Sequence, residues 1–325
     1  MKVNFLTTTN TSNGYGMTRE YFRKYLPRFG IELDLPNANN PINLILHIPP
    51  AIQHVKKGIK VLYTMIEGDT VPDSWKPYLA QADHIIVPTT FVQEAFARAG
   101  FEATVIPLGY DPDVFFNQGV RQTEVYTFLH YEAFQDRKGW EDLLEAWFMS
   151  GLAEEEHNVR LVLKTVKSYK EVYERLHADN FDTYLPYNVK VVCGELPHHS
   201  IVDLLSTTNC FVFPSRGEGF SLPPLEAMAT GLPTVITKGH SHMDYYNEDF
   251  MYGVDCNIKI PARYHNWEDQ GSFVRCKVED LAHTLRHVYD HQEEAIIKGQ
   301  ASVEYVKKYI YSETARRLFE YLCHL

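Results

Sequence analysis

The sequence predicts an α/β fold of two doubly wound domains in tandem. Short apolar runs alternate with helical segments, and the alternation restarts after the polar, glycine-containing break FFNQGVRQTEV. At 325 residues the chain is also too long for one ordinary core and suits two, and 45% hydrophobic residues are enough to fill both.

The opening reads as strand, glycine loop, helix. KVNFL suits a buried strand and TTTNTSNGYG a loop. From Met17 the apolar positions Phe22, Tyr25, Leu26 and Phe29 recur at helical spacing until Gly30 stops them. INLILHI, KVLYTMI, HIIVP and ATVIPLG continue as strands, with TFVQEAFARAG as a helix. After the break come the strands YTFLHY, VRLVLKTV, VKVVCGEL, CFVFPS and PTVIT. Between them lie the helices GWEDLLEAWFMS, a Tyr- and Glu-rich one from Tyr169, HHSIVDLLSTT, and one opened by Pro223 and Pro224. The domain boundary falls near Asn117 to Thr123, giving domains of residues 1–118 and 119–304, and the last segment, about 305–325, is helical by pattern.

A formal charge of −11 supplies no overall positive field for a nucleic-acid backbone, which disfavours nucleic acid as a partner. Five cysteines without C-x-x-C spacing make a poor disulfide framework. With an N-terminal apolar run too short for a signal peptide, they suggest reduced thiols in the cytoplasm. No stretch approaches the ~18 apolar residues of a membrane span. Peripheral membrane association and oligomeric state stay open.

Open α/β sheets bind ligands beyond the carboxyl ends of their strands, which directs attention to SRGEGFSLPPLEAMATG after CFVFPS. Gly217 and Gly219 would let the backbone near Glu218 approach a ligand, and the following helix N-terminus suits phosphate. Glu226 lies in that helix's first turn, off the stripe of Leu225, Met228, Ala229 and Leu232, where it could accept hydrogen bonds from two ribose hydroxyls. Taken singly, each is matched by a bland alternative: a solvated loop acid, and an acid complementing the helix dipole. Their joint occurrence in the order strand, Gly-Glu-Gly loop, prolines, helix favours a site.

SRGEGFSLPPLEAMATGLPTVIT resembles the E-x7-E signature of the retaining group 1 (family 4) glycosyltransferases. Other segments are similar in the same order: NGYGMTREYFRKYLPRFG to the first glycine loop and helix, VIPLGYDPDVF to the domain-closing segment, and QDRKGWEDLLEAW to a basic R-K-G step. The resemblance implies GT-B architecture, two Rossmann-like domains facing across a cleft. The first would take the acceptor and the second a nucleotide sugar, with the final helix packed back on the first. By position it implies that Glu218 contacts the donor sugar and Glu226 holds the ribose. Phe220, Ser221 and Leu222 would offer backbone amides, Gly194 and Leu196 would border the base, and Gly14 and Gly16 the phosphates or the acceptor. Lys138 and Arg137 would meet the diphosphate, so that no metal or other cofactor is needed. The activity implied is metal-independent transfer of a hexose, with retention, from a UDP- or GDP-sugar to a hydroxyl acceptor on a glycan, lipid, protein or small molecule.

The departures from the family pattern also matter. Where many members carry Gly-Arg ahead of R-K-G, this chain has Tyr131 and Glu132, so one phosphate cation is missing and Arg137 is the candidate substitute. Where many place a histidine after a first-domain strand, this chain has Thr64, with Glu67 close behind. Thr64, Glu67 and His47 are the acceptor-side candidates, although a lone histidine among aliphatics is more often structural. His240, His242 and Asp244 crowd one segment, but the spacing is poor for a metal, and the segment reads as a loop lining the cleft. Three other readings fit less well. A non-catalytic sugar-nucleotide binder would share the cleft, and a DNA-base glucosyltransferase is opposed by the acidic charge. An NAD-dependent oxidoreductase needs G-x-G-x-x-G after the first strand, and NGYGMTR lacks the third glycine.

Overall fold

The structure is a computed structural model of the chain. It describes residues 1–8, 14–154, 158–168, 170–172, 174, 185–196, 198–263 and 269–325. The first sheet is formed by β1 (Lys2–Thr7), β2 (Glu32–Asp34), β3 (Ile42–Leu46), β4 (Ile59–Tyr63), β5 (His84–Val87) and β6 (Thr104–Val105), in the order β2-β1-β3-β4-β5-β6. Every pairing in it is parallel. The strands are apolar because both faces are covered, and β3 is buried at every residue. Its helices include α1 (Gly14–Tyr25), α2 (Lys76–Leu79) and α3 (Thr90–Arg98). Helix α1 begins three residues before the Met17 start expected from periodicity, so Gly14 and Gly16 belong to its first turn and not to the loop.

The second sheet contains β7 (Tyr126–Tyr131), β8 (Val159–Lys164), β9 (Val189–Val192), β10 (Cys210–Phe213), β11 (Thr234–Lys238), β12 (Tyr252–Arg263) and β13 (Asp269–Cys276), in the order β13-β12-β11-β10-β7-β8-β9. It is parallel except for the antiparallel β12–β13 hairpin at one edge, two strands that have no counterpart among those read from the sequence. Around it lie α4 (Trp140–Met149), α5 (His198–Ser206), α6 (Pro223–Ala229), α7 (Val278–Asp290) and α8 (Gln292–Val306). Most of the helix expected from Tyr169 falls outside the described residues.

Strand order reverses between β1 and β3 in one sheet and between β7 and β10 in the other, and such switch points open crevices at the carboxyl ends of the strands. The last helix, α9 (Tyr311–Cys323), returns to the first domain. There Tyr311 stacks on Tyr21 with ring centroids 4.2 Å apart, and Thr314 Oγ1 donates to Pro107 O at 2.8 Å. Tyr311, Leu318 and Leu322 are buried on that face, each contributing roughly 1.5–3 kcal/mol if fully desolvated. The domain-joining stretch is anchored through Asp111, whose carboxylate accepts from Lys24 Nζ and Tyr25 Oη, both at 2.6 Å. All five cysteines are free thiols, and no described helix is long and apolar enough to cross a membrane.

Candidate functional site

The loop after β10 lies at the second sheet's switch point and brings Glu218 into a nest of donors. Lys138 Nζ donates to its Oε1 at 2.7 Å and Ser215 Oγ at 2.6 Å, while Arg137 Nη1 meets Oε2 at 2.9 Å. Glu218 is buried. Burial alone would push its carboxyl up, but the two cations outweigh it and hold the group well below the usual carboxylate range. Arg137 and Lys138 come from a 3-10 turn, Asp136–Lys138, that ends on Gly139. That glycine has φ +67°, and a Cβ on it would meet Pro214 O at 2.1 Å, so the R-K-G turn can only nest against the Glu218 loop with glycine there.

The cations are shared with other acids. Lys138 Nζ also lies 2.9 Å from Glu132 Oε2, so the acid at the family's arginine position pairs with the lysine. Arg137 Nη2 lies 3.6 Å from Glu67 Oε1, which comes from the first domain, and its Nη1 donates to Gly217 O at 2.9 Å. Glu67 therefore reaches the same charge cluster as Glu218. The glycines flanking Glu218 also stand where the loop is closely packed. A Cβ on Gly217 would meet the Phe273 ring at 2.3 Å and Glu67 O at 2.8 Å, and one on Gly219 would meet Met65 at 2.8 Å. Gln270 Oε1 accepts from the amides of Glu67 and Gly68 at 3.1 and 3.2 Å, closing the hairpin of β12 and β13 onto the first domain.

Glu226 sits in the first turn of α6 but is buried, not solvated. Its Oε2 accepts from the Tyr131 hydroxyl. Burial pushes its carboxyl up to about 7, the Tyr131 bond acts against that, and the charge of Glu132 adds to it. Between the two glutamates, Phe220 is buried with its ring 6.0 Å from Tyr245, Ser221 holds φ +80°, and Leu222 is the N-cap of α6. Gly194, with φ +92°, follows β9 and accepts from the buried Lys164 Nζ, which also donates to Thr165 O at 2.8 Å. Lys164 pairs with Tyr131 in register, placing Gly194 and the half-buried Leu196 beyond the same strand ends.

On the first-domain side, Tyr15 joins two predicted residues. Its ring stacks on His47 at 5.9 Å, its hydroxyl lies 3.3 Å from Thr64 Oγ1, and it accepts from the Met65 amide at 3.2 Å. Thr64 is fully buried, and burial lowers the His47 pKa. Gly14 has open space where a Cβ would stand, whereas Gly16 is buried.

The 240–244 segment bridges the domains, and its three polar side chains diverge. Asp244 accepts from Thr90 N at 2.6 Å and Thr90 Oγ1 at 2.9 Å, at the start of α3. His240 stacks on Phe91 at 4.4 Å and donates through Nδ1 to Glu67 O at 3.2 Å. His242 is buried, which pushes its imidazole down to about 4. Its Nδ1 faces Thr237 O at 2.9 Å and must carry the proton, so Nε2 accepts from Ser221 Oγ at 3.1 Å and fixes that residue's left-handed turn. Among the described residues no group of three or more His, Cys, Asp or Glu is placed to hold a metal ion.

Sequence reasoning missed Ser215, Gln270, Tyr15, Lys164 and the tie from Tyr131 to Glu226. A hydroxyl three residues before Glu218 was the one local signal available, since the others act across 30 to 203 positions of chain.

A family model described as glycosyl transferases group 1 matches residues 112–295, more than half of the chain. The fold is similar to that of sucrose-phosphate synthase from Thermosynechococcus elongatus, with TM-score 0.74 and 16% identity over 100% of this chain and 98% of that one. It is also similar to HepE (Alr3699) of Anabaena in complex with UDP and glucose, with TM-score 0.73 and 14% identity over 100% of both chains. These likenesses show the GT-B fold. Curated relatives match locally. A putative glycosyltransferase 63 of the Sulfolobus islandicus filamentous virus is 36% identical over 66 residues, 20% of this chain and 25% of that protein. The lipopolysaccharide core biosynthesis mannosyltransferase LpsB of Rhizobium meliloti is 55% identical over 40 residues, 12% of this chain and 11% of that protein. The chain thus spans a quarter or less of the length of these two relatives.

Proposed function

Because the chain belongs to the group 1 glycosyl transferases, we propose that it moves a hexose, with retention and without a metal, from a UDP- or GDP-sugar to a hydroxyl acceptor. The observation that carries this is the buried Glu218 held by Lys138, Arg137 and Ser215 at the second sheet's switch point, with Glu226 in the helix that follows.

In this reading Lys138 and Arg137 turn from their carboxylates to the diphosphate and stabilise the charge of the leaving group. The amides of Phe220, Ser221 and Leu222 add donors, and His242 holds that turn through Ser221. Glu226 takes the ribose hydroxyls as Tyr131 swings off, and the base lies by Gly194 and Leu196. Glu218 contacts the sugar. The acceptor enters past Gly14, Gly16, His47, Thr64 and Glu67, and its proton leaves to the departing phosphate oxygen in a front-face substitution. The nucleotide-binding HepE complex is consistent with such a donor.

A non-catalytic binder is the second reading. Its support is that Glu132 already occupies Lys138 and Tyr131 already occupies Glu226. One experiment separates the two. UDP- and GDP-sugars are incubated with candidate glycans after exhaustive dialysis against EDTA, and transfer product and released nucleoside diphosphate are measured. Transfer in EDTA is expected. Binding without turnover would support the second reading, and activity only on adding manganese or magnesium would remove the metal-free step.

A further inference from the structure

The amino-terminal end of the second sheet carries a cavity that the proposed transfer leaves unused. Its volume is about 580 Å³, and it is bounded by Tyr126 at the start of β7, Asn158 just ahead of β8, Asn209 just ahead of β10 and Pro233 just ahead of β11. It therefore lies at the opposite ends of the strands from Glu218, Glu226 and Lys138. Its remaining walls are the domain-joining residues 119–124, Gly231 and Leu232 after α6, Tyr289 of α7, and the face of α8 that carries Gln292, Ile296 and Gln300.

Arg121 lines this space half-buried, and among the described residues no acid pairs with its charge. Nη1 donates to Gly119 O at 2.9 Å and Nη2 to Gln118 Oε1 at 3.4 Å, both neutral acceptors. Nε is buried without a hydrogen-bond partner among the described residues. Burial pushes the guanidinium down to about 10, although Glu124 stands on the same wall. A guanidinium has five donors and is rarely withdrawn from water unpaired, so a cavity at its side is suited to an anion. The surrounding groups add polar contacts. Asn209 Oδ1 is taken by Thr123 Oγ1 at 2.8 Å and Thr127 N at 2.9 Å, and its amide NH2 has no partner among the described residues. Leu232 and Ile296 supply apolar wall.

We infer that this cavity binds a small polar metabolite, about the size of a monosaccharide, that carries one phosphate or carboxylate on Arg121. The site is separate from the donor cleft and touches both the linker between the domains and the helix that leads the chain back to the first one.

The test is calorimetric titration of the full chain with inorganic phosphate and, separately, with acetate. Four proteins are compared: the parent, Arg121→Gln, Gln292→Glu and Arg137→Gln. At least one anion should bind the parent and Arg137→Gln alike and weaken about tenfold or more in Arg121→Gln, as loss of a charge-assisted bond requires. Gln292 is exposed at the start of α8, so Gln292→Glu adds an opposing charge at the wall without disturbing the core and should also weaken binding. It keeps the test valid if Arg121→Gln folds poorly. The tighter of the two anions identifies a phosphate or a carboxylate ligand. Binding unchanged in both cavity variants, binding lost in Arg137→Gln, or no binding of either anion would overturn the inference.

Discussion

Glu218 and Glu226 stand eight positions apart in sequence, both buried, yet their surroundings drive them in opposite directions. On its loop Glu218 has two cations and a serine hydroxyl, and its carboxyl is held well below the usual range. In the first turn of α6, Glu226 has one phenol and a neighbouring acid, and its carboxyl rises to about 7. Burial pushes both upward, so partners and not depth decide which one is a fixed charge. Glu218 is a permanent anion at neutral pH, whereas Glu226 stands at the point where it gains or loses a proton.

The strongest way to break this difference is to remove the cation that makes it. Lys138→Met leaves Glu218 and Glu132 sharing less positive charge in a buried place, with Arg137 still on Glu218. The expected cost is roughly 3 kcal/mol of stability in urea unfolding, with transfer lost because the leaving diphosphate has no ammonium. A variant that keeps both its stability and its turnover would show that the cluster is ornamental to the fold and to the reaction alike.

Glu218→Gln should come next in size. It keeps the shape and removes the charge, so kcat should fall by about 10²-fold while affinity for free nucleoside diphosphate holds, the mark of a contact made in the transition state. Third is Glu226→Ala, which should weaken sugar nucleotide and free nucleoside diphosphate together, by about 1.5–3 kcal/mol, as loss of hydrogen bonds to a charged group implies. Equal loss of nucleotide affinity in both variants would erase the division of labour between them.

These two residues were legible in the sequence because their signal is local: a strand, a glycine-flanked acid, two prolines and a helix in one stretch. The same holds for the R-K-G turn, whose glycine is required by an approach of 2.1 Å to Pro214 O. What surrounds them was not legible. Tyr131 meets Glu226 across 95 positions, and Gln270 reaches the amides of Glu67 and Gly68 across more than 200, with neutral side chains that no pattern marks. The β12–β13 hairpin was missed for a different reason. Val254, Cys256, Ile258 and Ile260 do alternate with polar residues, but Gly253 and Pro261 lie inside the strand and argue against one, and the bulges recorded near Cys256 and Pro261 absorb the irregularity. The packing of Phe273, Glu67 and Met65 against Gly217 and Gly219 was not legible either, because sequence shows that a glycine is small without showing what presses on it.

The opposed carboxyls also predict opposed pH behaviour of the fold. Folded Glu226 keeps its proton up to about 7, against 4.5 for the free side chain. The folded state therefore binds more protons through that window, and Glu226 costs stability increasingly as pH rises across it. Glu226→Gln should gain on the parent between those values and keep a constant lead above them. Glu218 is depressed, so its contribution is present above its unfolded pKa and fades as pH falls through the folded one. Glu218→Gln should thus be at its greatest disadvantage near neutrality and should recover in acid. Parallel pH profiles for the two variants would contradict the reading of both sites.

The smallest expected effect is the one that isolates Tyr131. Its hydroxyl donates to Glu226 and holds that carboxyl down against burial. If ionised Glu226 receives the ribose, nucleotide affinity in the parent should rise with pH through about 7, because protons must leave before the carboxylate can accept from both hydroxyls. Tyr131→Phe removes the hydroxyl that competes for the same oxygen and also removes the bond that favours ionisation. The midpoint of the affinity profile should therefore move to higher pH, while affinity on the alkaline plateau should equal or exceed the parent's. Calorimetry of UDP or GDP binding at several pH values reads both quantities from one titration series. A midpoint that stays in place would mean that Tyr131 does not set the state of Glu226. A profile flat with pH in both proteins would mean that the ribose is held elsewhere, and Glu226 would then be a buried acid whose proton serves the packing of α6 alone.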